Sequence, residues 1–181
     1  MAAVLIASFV FGAVDQYLGG IWMAEHVGFW TISVSAMSAP WLALPFAIGC
    51  TQERAGRAAR LGLTATGLAL LGYFVMTLSP VEGARLSSVT VSSYLHSQLH
   101  VIAPGLVTGP LYGWFGYRWR TLRAWCSAAL VAGAFCFEPL ARSLAGQPLG
   151  SASVSTAEVA VGVIVATVLA TARVTGARAA T

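Results

Sequence analysis

Apolar residues run almost without interruption along this chain, and the polar breaks between the runs are short. A helix needs about 20 residues to cross the hydrocarbon core of a bilayer. On that measure the pattern predicts six membrane helices, at about 2–23, 28–50, 61–79, 95–117, 122–144 and 157–173. The predicted fold is an all-α, single-domain polytopic bundle spanning residues 1–181. The opening run lacks a basic leader and stays apolar beyond Asp15 and Gln16, through Tyr17, Leu18, Ile21, Trp22 and Met23. It therefore reads as the first membrane helix rather than a cleaved signal. The two halves, of three helices each, show no convincing internal repeat.

Charge gives the bundle an orientation. The arginines fall into clusters at Arg54, Arg57 and Arg60, at Arg118, Arg120 and Arg123, and at Arg173 and Arg178. An even number of crossings separates each cluster from the next, so eight of the ten arginines come out on one side. Basic links mark the cytoplasmic face, which places both termini in the cytoplasm. Trp22, Trp30, Trp114, Trp119 and Trp125 fall near predicted helix ends, where amphipathic rings favour the interface. Trp41 lies deeper and is expected to pack between helices.

Composition narrows the classes further. Hydrophobic residues make up 57% of the 181 and charged residues only 9%, against about 25% charged in an ordinary soluble domain. The formal charge is +4 with no lysine. These arginines flank apolar spans and form no aromatic-interleaved patch, which argues against nucleic acid. Their expected partners are the lipid bilayer and its anionic headgroups. Cys50, Cys126 and Cys136 fall in or beside apolar runs and form no CxxC pair, so they read as small buried hydrophobes. No phosphate loop, nucleophile elbow or paired metal-binding carboxylate motif occurs, so no enzyme activity and no cofactor is assigned.

Three features bear candidate chemistry. Asp15 and Glu138 are the acids assigned to the membrane interior, where a charge faces the bundle or water. With Gln16, Trp41 and His100 they are predicted to line a pathway for a small-molecule ligand. That pathway would lie between the fourth helix and helices one and five. Gly105, Gly109 and Gly113 recur every four residues on the fourth helix and make a helix-packing face. This face would suit a membrane-protein partner or a homo-oligomer. Pro104 and Pro110 in the same segment each remove a backbone donor and invite a break. His96 and His100, four apart, share a helix face and offer a third reading, a metal or haem site with His26 as a further ligand.

The strings Asp15-Gln16, Ser38-Ala39-Pro40-Trp41, Gly72-Tyr73, Gly109-Pro110-Leu111-Tyr112-Gly113 and Phe137-Glu138-Pro139 resemble those of a family of small multi-pass membrane proteins common in actinobacteria. That family carries a domain-of-unknown-function label. The likeness spans 12–140, most of the chain, and implies a polytopic membrane protein without implying an activity. A looser likeness, in topology alone, is to the six-helix substrate-binding subunits of vitamin importers.

Overall fold

A computed structural model of the chain describes residues 2–80, 92, 96, 98–146 and 151–178, with the backbone alone for 100, 101 and 173–178. These residues are all-α, with no strand among them. The described helices are α1 (Ala2–Gly19), α2 (Ile21–His26), α3 (Trp30–Ser35), α4 (Ala39–Cys50), α5 (Ala55–Thr77), α6 (Leu99–Leu122), α7 (Trp125–Leu144) and α8 (Ala152–Arg178). Three segments are long and apolar enough to cross a membrane: α1, α5 and Ala152–Ala172 of α8. α6 and α7 have the length, at 24 and 20 residues, but are less apolar. α4 is apolar but only 12 residues long.

The first two apolar runs are each interrupted. The helix expected over 2–23 stops at Gly19, because Gly20 takes extended backbone angles before α2 begins. The helix expected over 28–50 is split into α3 and α4. The amides of Ala36 and Met37 bond back to Ile32 and Val34 and close α3. Pro40 then sits in the first turn of α4, where its missing N–H leaves no helical bond unmade. The break expected at Pro104 and Pro110 is absent: α6 runs through both. The interruptions thus fall in the first and second apolar runs, and not at the prolines of the fourth.

α5 lies between α1 and α6 and meets both without intervening side chains. A Cβ built on Gly12 of α1 would strike the Ala69 carbonyl of α5, and one on Gly72 would strike the Phe9 carbonyl of α1. On the other side, Gly62 faces the Gly109 carbonyl and Gly113 faces the Ala58 carbonyl. Ala58, Ala65 and Ala69 are accordingly sealed from solvent. The Gly105, Gly109 and Gly113 face, expected to receive a partner, is covered by Leu70, Thr66, Gly62 and Ala58 of this chain's own α5. It packs helices, but within the molecule.

α7 and α8 form a second pair, with Gly162 of α8 against Phe135 and Cys136 of α7. They join α4 and α6 through a core of Ala39, Phe46, Trp119, Ala128, Val131 and Phe135. Trp119, expected at the interface, is 4% exposed inside this core. It is one turn from the end of α6 on the face that α4 and α7 cover, so packing decides its place. Arg120 donates to the Thr51 carbonyl at 2.8 Å and lies 3.7 Å from Glu53. The Arg54–Arg60 and Arg118–Arg123 clusters therefore share one end of the bundle. Leu169 packs on the Trp119 core, so α8 runs toward that same end.

The exterior of the bundle is as apolar as its core, unlike that of a water-soluble one. Ser8, Thr31, Thr66 and Ser127 are buried, while Ile6 and Val10 of α1 and Val163, Ile164 and Val168 of α8 lie exposed. An apolar exterior of this extent would aggregate in water and suits lipid.

The glycine contacts generate a two-sided prediction. Gly62→Ala places a methyl against backbone that cannot yield, and a misfit of this kind costs about 1–3 kcal/mol. Gly67, with open space around its Cβ position, should instead gain about 0.5–1 kcal/mol as alanine through helix propensity. Thermal unfolding of the two variants in detergent should move in opposite directions.

Candidate functional site

A cavity of about 490 Å3 lies where the end of α1, the α3–α4 break, the end of α5 and the start of α6 converge. These helix ends are opposite to the arginine-rich end. Most of the wall is apolar, with Leu42 and Leu70 beside the rings of Trp41, Tyr73 and Phe74. Ser35, Ser38, Gln98 and Thr108 add polar atoms, and Asp15 contributes the wall's carboxylate.

Asp15 and Trp41 define the centre of the site. α1 presents Asp15 in its last turns, and α4 presents Trp41 in its first turn. The indole Nε1 donates to Asp15 Oδ2 at 3.2 Å. Phe11 of α1 meets the indole edge-on at 5.4 Å between ring centroids, and Tyr73 of α5 meets it at 6.1 Å. The ring is thereby fixed by three helices, and its hydrogen bond fixes the carboxylate. Among the described residues Asp15 makes no ion pair.

The α3–α4 break, which forms one wall, is bridged from α7. Glu138 Oε1 accepts from the Ser38 amide at 2.5 Å and Oε2 from the Ala39 amide at 2.7 Å. A carboxylate from another helix thus caps the N-terminus of α4, where the side chain of Ser38 makes no cap. Arg142, one turn further along α7, pairs with Glu138 at 2.6 Å and also donates to the Ala36 carbonyl at the end of α3. One ion pair therefore satisfies both broken helix ends. Glu158 of α8 sits beside Glu138, and its Oε1 is buried without a hydrogen-bond partner.

The residues assigned to one pathway separate into three groups. Asp15 and Trp41 share the cavity. Gln16, on the same helix, does not line it, and Glu138 supports its wall from behind. The pathway was expected between the fourth helix and helices one and five; α5, the third apolar run, takes the place of α7 in the wall. The side chain of His100 lies outside the described residues. His96 is exposed, and His26 stacks on Trp22 with its Nδ1 2.8 Å from the Trp22 carbonyl. Among the described residues no three His, Cys, Asp or Glu gather as a metal site. Arg142 and Glu158 were not singled out from sequence. The spacing of Glu138 and Arg142, four apart on one helix, is the signal that marks the first of them.

No protein-family model, curated protein sequence or solved structure matches the chain.

The bridge yields a stability prediction. Glu138 and Arg142 are 8% and 11% exposed, and removing one member of a buried pair costs about 3–5 kcal/mol. Glu138→Ala should destabilise the protein by that order. Glu138→Met with Arg142→Met should cost less than the two single changes summed, because no charge is left stranded. A double-mutant cycle by denaturant or thermal unfolding measures the difference.

Proposed function

We propose that the chain is a multi-pass protein of the bacterial cytoplasmic membrane that binds or moves a small solute in the cavity beside Asp15. In this reading it crosses the membrane six times, with α1–α2, α3–α4, α5, α6, α7 and α8 as the crossings and both termini in the cytoplasm. The shared end of the first two arginine clusters supports the orientation, since basic links stay cytoplasmic. The cavity then lies in the outer half of the membrane.

One observation carries the solute reading. Asp15, held by the Trp41 indole, stands on the wall of a mostly apolar cavity of about 490 Å3. Ligand sites have this form: roughly 300–1,000 Å3, apolar walls and a few placed polar groups. An acid kept at such a depth costs insertion energy and usually serves a pathway or a ligand. The interrupted second helix is a further feature of solute sites in transporters.

Asp15→Asn should abolish solute binding or uptake while leaving the amount of inserted, folded protein unchanged. Less inserted protein, with normal binding or uptake per inserted molecule, would make Asp15 structural. For the topology, alkaline phosphatase fused after Gly146 should be active, and the same enzyme fused after Arg123 inactive. A reversed pattern overturns the orientation.

A further inference from the structure

We propose that the occupant of the Asp15–Trp41 cavity is an organic cation, a protonated or quaternary amine with an apolar body. The inference rests on the solute-binding reading and adds the charge and character of the ligand.

The first argument is charge. Asp15 supplies a carboxylate to the wall, and no arginine, lysine or histidine joins it among the described lining residues. The nearest described ion pair, Glu138 with Arg142, is internally neutralised behind the wall. The ionised form of an acid in a low-dielectric site is favoured by an opposite charge, and the described lining side chains do not provide one, which leaves that part to a ligand. An anionic solute would meet repulsion there, with no basic group among the described lining residues to offset it.

The second argument is the nature of the cation. Bare metal cations need about six oxygen ligands to replace their hydration shell. The wall offers oxygens from Asp15, Ser35, Ser38, Gln98 and Thr108, but Leu42, Leu70, Trp41, Tyr73 and Phe74 make most of it apolar, which suits a ligand with a carbon body better than a bare ion. A substituted ammonium is weakly hydrated, and its charge sits within carbon. Its attraction to aromatic faces is the interaction by which proteins recognise quaternary amines. Trp41 and Tyr73 both line the cavity, with their rings at 69° to each other, so aromatic surface lies beside the carboxylate. Because Trp41 Nε1 occupies only Oδ2 of Asp15, the carboxylate can hold the indole and accept an ammonium together.

The test uses the full chain in dodecyl maltoside micelles, which carry no ammonium group, with empty micelles subtracted. Three probes share a body and differ in charge: phenyltrimethylammonium, its neutral carbon analogue tert-butylbenzene, and benzenesulfonate. The expected result is saturable binding of the cation, weakened at least tenfold by Asp15→Asn and by Trp41→Leu, with Asp15→Glu retaining part of it. Unchanged melting temperature in Asp15→Asn excludes a folding effect. If tert-butylbenzene binds as tightly and Asp15→Asn changes nothing, the cavity is a ligand site but the charge assignment is overturned. Tighter binding of benzenesulfonate overturns it as well. If no probe binds saturably, the cation inference and the solute-site reading fail together.

Discussion

Direct backbone contact along α5 is the constraint on which the other helices depend. Helices in lipid gain little from the hydrophobic effect when they associate, because acyl chains are as apolar as leucine. Association then relies on close packing, and glycine permits the closest. Gly12 and Gly72 join α5 to α1, and Gly62, Gly109 and Gly113 join it to α6. Both neighbours are thereby set at fixed depth and rotation. That registration brings Asp15 near the end of α1 opposite Tyr73 near the end of α5, with Pro104 and Thr108 of α6 completing the wall. The cavity is the space left where these tightly seated helices diverge from α3 and α4.

The second organising contact is polar. Breaking a helix within a membrane exposes amides and carbonyls that water cannot satisfy. Glu138 and Arg142 take those groups at the α3–α4 break and hold the wall of the cavity from outside it. Glu138 thus belongs to the support of the site, and Asp15 to its lining. Two acids in similar apolar runs have different duties because one faces a stranded helix terminus and the other faces open volume.

The sequence resolved the elements better than their junctions. The runs at 61–79, 122–144 and 157–173 lie close to α5, α7 and α8, since a long apolar segment flanked by arginines has few alternatives. The breaks near Gly20 and Met37 were invisible because a helix interrupted for one to three residues of this kind is nearly as apolar as a continuous one. Pro104 and Pro110 misled in the opposite direction, because α6 continues past both while its glycine face is held by α5. Asp15 and Trp41 were legible as members of one predicted lining, but the bond from indole to carboxylate comes only from the fold, which brings α1 to α4. Glu158 was not, since it opens a predicted helix where an acid is unremarkable, and its nearness to Glu138 arises only from the packing of α7 against α8.

The bridge across the α3–α4 break also sets an order in biosynthesis. Ser38 and its carboxylate partner are 100 residues apart in the chain, and Ala36 and its guanidinium 106. A ribosome adding about 5–20 residues per second needs roughly 5–20 seconds to cover that distance. Throughout that interval the helix ends at the break lack both the carboxylate and the guanidinium that hold them in the folded protein. Their final contacts form only when a much later segment arrives, so this wall of the cavity is among the last parts of the molecule to be completed.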